Sequence, residues 1–147
     1  MPRFQFRLQQ YLGVKEQLES QKEIEYAKAL RTVAEEKERL AQMYEQREEA
    51  VEKLRSAVSK SISPMEVRRF NNHIERLKHN IKVQTERVAA AEEFAEQKRQ
   101  ELVQAMKERK ALETVKENAR EEFLKEVDIA ERKKVDELVS FKYTEKL

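Results

Sequence analysis

The 147-residue chain has little of what builds sheets, disulfides or phosphate sites. Its one glycine, Gly13, cannot supply the turns of an antiparallel sheet or a phosphate-binding loop. Without cysteine it has no disulfide, no thiol nucleophile and no zinc-thiolate cluster. Tryptophan is absent and aromatic residues make up 7%, so a thick globular core is not expected. The only prolines are Pro2 and Pro64, which leaves long stretches free of helix breakers.

Charge is abundant and balanced. The chain carries 31 Lys and Arg against 29 Asp and Glu, for a net charge of +2. High Glu, Lys, Ala, Leu and Arg usage with very little Gly is typical of long helices and coiled coils. Because no long one-sided basic arm or stripe is present, we predict no nucleic-acid binding. No run of 18 apolar residues exists, so we predict no membrane insertion.

The composition and the turn signals predict an all-α protein. The only turn candidate is the segment 59–64, where Ser63 can cap a new helix, Pro64 suits its first position and Glu66 completes a capping box. We therefore predict helix one at about 4–60, a bend at about 60–64 and helix two at about 64–142. Together they form a single coiled-coil domain over residues 1–147.

Apolar side chains recur at alternating steps of three and four in both predicted helices. In helix one this seam is interrupted by Lys37 and Arg47, and in helix two by Gln84, Lys98 and Arg109. One short bend between two seams implies an antiparallel hairpin, with residue i beside residue 124 − i. Helix one would then end opposite about residue 120, and about twenty residues of helix two would overhang without a partner in the chain.

No constellation of residues indicates catalysis. The two histidines, His73 and His79, are six residues apart and cannot share a metal at i, i+4 spacing. A two-helix rod has no cleft that would desolvate a carboxylate and raise its pKa. We therefore predict that the protein is not an enzyme, with no catalytic residue, no metal site and no cofactor.

Two further features are open to an interaction role. The first is a basic stretch near the bend, which we interpret as charge alternation on a solvated face, with an acidic partner or nucleic acid as the alternative. Its members are Arg68, Arg69, Arg76, Lys78 and Lys82. The second is the apolar overhang of helix two, which includes Phe123, Val127, Leu138 and Phe141. An exposed apolar surface usually marks a docking site, here for another protein or for a second copy of the chain.

The sequence resembles the FliJ family, the small coiled-coil component of the flagellar type III export apparatus. The opening residues 4–12, FQFRLQQYL, followed by Lys15 and Glu16, look like the start of that family. The segment 70–74, FNNHI, with Leu77, Ile81 and Gln84, resembles the start of its second helix. Residues 131–138, ERKKVDEL, resemble its C-terminal stretch.

The resemblance implies a cytoplasmic, non-enzymatic protein at the cytoplasmic face of the inner membrane. Its hairpin would be similar to the central stalk of rotary ATPases. Both chain ends would insert into the hexameric ring of the export ATPase FliI and promote its assembly and activity. The ring contact would then comprise Phe4, Phe6, Arg7, Leu8, Leu12, Lys15, Glu16, Asp136, Glu137, Leu138 and Phe141.

The same resemblance implies two more partners, the cytoplasmic region of the export gate protein FlhA and the substrate-specific export chaperones. The positions that match the gate contact are His73, Leu77, Asn80, Gln84 and Met43, the last on helix one with Arg39 or Gln46 beside it. The family uses more aromatic character on helix one than this sequence has.

Several alternatives stay open at the level of sequence. One is the equivalent stalk of a virulence type III secretion system, and another is a homodimeric structural coiled coil. A nucleic-acid-binding hairpin would show steep salt dependence. A prefoldin-type chaperone would need β-hairpins, for which the segment 59–64 is too short.

Overall fold

The computed structural model describes residues 2–146 and consists of two long helices. Helix α1 runs over Gln9–Ser59 and helix α2 over Pro64–Glu145, and the described residues contain no strand. The two helices pack antiparallel, which confirms the predicted all-α helical hairpin. No helix in residues 2–146 is long and apolar enough to cross a membrane.

Helix α1 begins at Gln9, five residues later than the sequence pattern predicts. The backbone amide of Gln9 donates to the carbonyl of Phe6 at 3.1 Å, which closes a turn just before the helix. Phe4, Phe6 and Leu8 in the preceding segment are half-buried. An extended segment can turn its aromatic side chains toward a neighbouring helix, and this tertiary packing outweighs the helical propensity of residues 4–8.

The bend forms the N-cap half of the predicted capping box, without a hydrogen bond from the Ser63 amide to the Glu66 carboxylate. The Ser63 hydroxyl accepts a hydrogen bond from the backbone amide of Glu66 at 3.3 Å, and Pro64 opens the helix. This is an N-cap, which satisfies one of the amides that the first turn leaves unpaired. Ser61 has a φ of 64°, in the left-handed region that usually ends a helix. Its amide donates to the carbonyl of Val58 at 3.3 Å.

The packing divides into two compact units. We call Met1–Gln21 with Val103–Leu147 the terminal unit, and Lys22–Leu102 the bend unit. In the bend unit Ala50, Ile74 and Leu77 form a buried cluster with Leu54 against it. In the terminal unit Leu12 is 2% exposed. The single-domain assignment over 1–147 stays a prediction.

Every polar residue that interrupts the predicted heptad seam has a specific partner. In the bend unit Gln84 donates from its amide to the carbonyl of Glu36 at 3.0 Å and also to the Glu36 carboxylate. Lys98 pairs with Glu25 at 3.4 Å. The remaining three interruptions pair as follows: Lys37 with Glu92 at 3.2 Å, Arg47 over the Tyr44 ring at 5.5 Å, and Arg109, in the terminal unit, with Glu19.

Candidate interaction surfaces

The last nineteen described residues of the chain, 128–146, are all exposed. Helix α2 continues through this stretch to Glu145. The exposed fractions of its apolar side chains reach 62% for Leu138, 65% for Phe141 and 72% for Tyr143. We call this stretch the C-terminal overhang. A helical stretch of this length in which every side chain is exposed is unusual unless another molecule covers it.

One side of the C-terminal overhang forms a shallow groove. It is lined by Lys133, Asp136, Glu137, Ser140, Phe141 and Thr144. Three of the predicted ring-contact residues therefore share one surface, namely Asp136, Glu137 and Phe141, while Leu138 lies exposed between them in sequence. The arrangement offers an aromatic side chain beside two carboxylates and a lysine, which suits a protein surface of mixed charge.

The segment before α1 packs against α2 at Phe123, which precedes the C-terminal overhang. The rings of Phe4 and Phe123 are 5.5 Å apart at an interplanar angle of 47°, a favourable tilted arrangement. Arg7 is exposed, while Phe6 and Leu8 are half-buried. Phe123 and Val127 were predicted to belong to the unpartnered overhang, but both are half-buried, because the segment before α1 packs beside this part of α2.

The structure therefore places the two halves of the predicted ring contact apart along α2. Phe4 lies beside Phe123, and Asp136 follows thirteen residues later in the same helix. At a rise of about 1.5 Å per residue, the two positions are about 20 Å apart along the helix axis. A partner that contacts both halves must extend over that distance.

The predicted contact residues in the first turns of α1 are of two kinds. Leu12 is buried, so it belongs to the packing between the helices. Lys15 bridges to Glu108 at 3.0 Å and lies 5.2 Å from the Tyr11 ring. The hydrogen bond to Glu108 raises the pKa of Lys15. Glu16 is exposed and faces solvent.

The predicted gate-contact residues also divide by burial. His73 and Asn80 are exposed, and Met43 is half-buried. Leu77 is 9% exposed and Gln84 is 2% exposed, so both lie inside the hairpin of the bend unit. A groove beside them brings His73 and Leu77 together with five neighbours: Gln46, Glu49, Ala50, Lys53 and Phe70.

A cross-helix charge cluster lies elsewhere in the bend unit. Lys22 contacts Glu101 at 3.3 Å and Glu25 at 3.4 Å, and Lys98 bridges the same two carboxylates. Hydrogen bonds from Lys98 and then Lys22 hold the pKa of Glu101 below its ordinary value. For Glu25, burial raises the pKa, but the nearby charges of Lys22 and Lys98 outweigh it and the net shift is downward. The cluster joins the two helices and leaves no carboxylate poised as a general base.

Within residues 2–146, no three His, Cys, Asp or Glu side chains lie close enough together to hold a metal ion. The groove of the C-terminal overhang is shallow, and the groove beside His73 is more enclosed. Their side chains can bind another macromolecule by packing and charge pairing, which is the chemistry that the two surfaces support.

Comparison with known proteins gives a family and a fold. The profile of the flagellar FliJ protein family matches residues 4–147. A solved structure described as a YscO homolog from Chlamydia trachomatis is similar to this chain with a TM-score of 0.68 at 20% identity. That similarity covers 97% of this chain and 96% of the other. No curated protein sequence matches the chain.

Proposed function

Because the chain belongs to the FliJ family, and is thus a coiled-coil protein of type III export, we propose that it is the stalk-like component of a flagellar export apparatus. In this role its terminal segments bind the hexameric export ATPase, promote ring assembly and stimulate ATP hydrolysis. The same hairpin contacts the cytoplasmic region of the export gate and the substrate chaperones. The protein acts without catalysis of its own, in the cytoplasm and peripherally at the inner membrane.

The observation that carries this proposal is the C-terminal overhang. Its residues 128–146 are helical or at the helix end, yet all are exposed, including Leu138 and Phe141. A single helix can enter the central hole of a ring, where its surface would be covered on all sides. Burial of an exposed aromatic side chain in such a hole contributes about 2 kcal/mol or more when it acts as an anchor.

The direct test measures ATP hydrolysis by the cognate export ATPase with and without this protein, and ring assembly by electron microscopy. Phe141→Asp should raise the concentration for half-maximal stimulation about 30-fold, the effect of losing one anchor side chain. Phe94→Asp is the matched control, because Phe94 is 52% exposed, lies in the bend unit and belongs to neither predicted contact. Unchanged stimulation by Phe141→Asp, or an equal loss in the control, would refute the ring assignment.

The contribution of the N-terminal segment needs a second variant. Phe4→Asp removes the aromatic contact between Phe4 and Phe123 as well as any contact of Phe4 with the ATPase. Combined with Phe141→Asp it should abolish stimulation with helicity intact, since Phe4 lies outside α1. Deletion of residues 124–147 should have the same effect on partner binding, and undiminished binding by the shortened protein would argue against the overhang as the docking site.

The gate contact is tested with the exposed half of its predicted residues. His73→Ala combined with Asn80→Ala should weaken binding to the cytoplasmic region of the gate protein, because both side chains are accessible. Asn72→Ala, also exposed and close by, is the control. Leu77 and Gln84 are unsuitable probes because they are buried, and changing them would perturb the hairpin itself. If the double variant binds like the control, the assigned gate surface is wrong.

A second candidate is the equivalent stalk of a virulence secretion system. The structural similarity to the YscO homolog favours the shared fold without separating the two systems. The two candidates differ in which ATPase responds. Stimulation of a virulence export ATPase but not of a flagellar one would favour the second. A homodimeric structural coiled coil would instead sediment as an obligate dimer and stimulate neither.

A further inference from the structure

The bend and the residues on both sides of it carry more positive than negative charge. Residues 53–74 contain five Lys and Arg and one acidic residue, Glu66, for a net charge of +4. The whole chain has a net charge of +2, so the remaining 125 residues have a net charge of −2. The positive excess continues into α2, where residues 75–82 add three Lys and Arg against one acidic residue, Glu75.

Four of these five cations form no ion pair within residues 2–146, namely Lys53 in α1 and the three that flank the bend. Lys60, Arg68 and Arg69 are exposed, and none forms an ion pair with any residue in 2–146. By contrast, Arg55 on the same side of the bend pairs with Glu52 at 3.3 Å. Lys60 lies on the turn, and Arg68 and Arg69 lie at the start of α2. Because these cations form no ion pair within the hairpin, their charge favours an anionic surface outside it.

Apolar side chains are exposed close to these cations in the sequence. Val58 is 55% exposed and Met65 is 67% exposed, and Ile62 between them is half-buried. We call residues 58–69 the bend tip. Arg69 is five residues into α2, so the cations lie within about 8 Å, along the helix axis, of the start of that helix.

We propose that the bend tip binds the surface of an anionic phospholipid bilayer. Amphipathic elements at such surfaces bury apolar side chains about 5–10 Å into the boundary between headgroups and acyl chains while their cations stay among the phosphates. The part of the bend tip that lies in α2 extends about 8 Å along the helix axis, which is within the 5–10 Å depth of such an insertion. Nucleic acid would satisfy the cations through its phosphates, but it offers no apolar phase for Val58 and Met65. The contact is peripheral, and no segment spans the bilayer.

The test is co-sedimentation of the full-length protein with vesicles. Vesicles of phosphatidylcholine with 30% phosphatidylglycerol should bind the protein at low salt, and pure phosphatidylcholine vesicles should not. Each basic side chain near an anionic surface contributes about a fivefold change in affinity. Lys60→Gln, Arg68→Gln and Arg69→Gln together should therefore weaken binding on the order of 100-fold.

A matched triple variant controls for net charge. Lys28→Gln, Arg31→Gln and Arg87→Gln remove the same charge from exposed positions of the bend unit outside the bend tip. This variant should bind the anionic vesicles within a few-fold of the unchanged protein. An equal loss in both triple variants would overturn the proposal, because it would show a general response to net charge. Circular dichroism confirms that both variants keep the helical hairpin.

Two further measurements separate a bilayer from other anions. Val58→Ser with Met65→Ser keeps every charge, and it should weaken vesicle binding roughly tenfold, since partial burial of two apolar side chains is lost. Binding of a 20-base-pair duplex or of polyglutamate to the bend tip as tightly as the vesicles would overturn the proposal in favour of nucleic acid or an acidic protein.

The absence of tryptophan provides a direct readout of depth. Met65→Trp should show a blue-shifted emission on addition of anionic vesicles, as the indole enters the interfacial layer. Phe94→Trp, at a comparably exposed position away from the bend tip, should show no shift. Sedimentation without a shift at Met65→Trp would mean that the bend tip does not enter the bilayer, and the proposal would fail.

Discussion

Gln84 provides the sharpest test of how the hairpin fixes its register. It is the one uncharged polar side chain in the heptad seam of α2, it is 2% exposed, and its amide donates to the backbone carbonyl and the carboxylate of Glu36 on α1. A polar residue at a seam position can specify register at some cost in stability. Shifting an antiparallel helix by one heptad would leave this amide buried without those acceptors.

The expected magnitudes follow from what each substitution removes. Gln84→Ala deletes both cross-helix hydrogen bonds to Glu36, worth about 1 kcal/mol each, and leaves a small cavity. We expect the free energy of unfolding to fall by about 2–3 kcal/mol, or about 5–10 °C in Tm for a chain of this length. Gln84→Leu keeps the volume and removes the polar group, so its stability should lie within about 1 kcal/mol of the parent.

Gln84→Glu separates the contribution of hydrogen bonding at this position from the contribution of side-chain packing, because it keeps the size of the side chain and changes its charge. The new carboxylate would face the Glu36 carboxylate in a nearly buried position, and two like charges there cannot both ionise without cost. Protonation of one of them restores a donor, so the variant should be strongly destabilised near pH 7 and should recover toward the stability of the parent near pH 4. Thermal unfolding followed by circular dichroism at the two pH values measures this recovery.

Register itself is measured by the distance between two spin labels. Ala41→Cys and Glu86→Cys place labels on exposed positions of α1 and α2 in the bend unit of a chain with no other cysteine. A slip of one heptad would shift the helices by about 10 Å. We expect one distance with Gln84 and a broadened or second population with Gln84→Leu. A single unchanged distance in Gln84→Leu would refute the role of Gln84 in register.

Four further predictions concern stability. Gly13→Ala should raise the free energy of unfolding by about 1 kcal/mol, because a Cβ at Gly13 meets no atom within 4 Å and alanine is the better helix former; an unchanged or lower Tm would contradict it. Ser61→Gly should stabilise by about 0.5–1 kcal/mol by relieving the positive φ of Ser61, whereas Ser63→Ala should destabilise by about 1 kcal/mol through loss of the N-cap. The pKa values of Glu101 and Glu108 are lowered in the folded state, so these groups stabilise the fold at pH values above the ordinary glutamate pKa of about 4.5, and this stability is lost as the pH falls through the folded-state values. Tm should therefore be level from pH 5 to 8 and fall below about pH 4. A Tm that stays level to pH 3 would show that these pairs do not stabilise the fold.

The hairpin could be predicted from the sequence because its determinants are local. A single cap at Ser63, one proline at the start of α2 and an apolar period with few polar interruptions leave few alternatives to two helices. The predicted pairing about a sum of 124 also agrees with the observed partners, since Lys15 with Glu108 and Lys22 with Glu101 both sum to 123. The start of α1 was missed because the contact between Phe4 and Phe123 is tertiary, and local propensity gives no sign of it.

The polar interruptions of the seam show where sequence periodicity is insufficient. Periodicity identifies Gln84, Lys98 and Arg109 as exceptions, but it does not say which residues on the other helix receive them. The structure supplies those partners as Glu36, Glu25 and Glu19. Each partner lies within four residues of the predicted opposite position, which is about one helical turn and within reach of a long side chain.

The same reasoning separates contact residues from scaffold residues in the candidate surfaces. A seam position can hold the hairpin together or meet a partner, and burial decides between these uses. Leu12, Leu77 and Gln84 are buried, so substitutions there would weaken the helix pairing on which any binding depends. Leu138 and Phe141 are more than 60% exposed in a helix that buries no neighbouring side chain, so their substitution removes only surface. Loss of partner binding with unchanged Tm is therefore expected from Phe141→Asp, while Leu12→Ala should lower Tm first and binding only as a consequence.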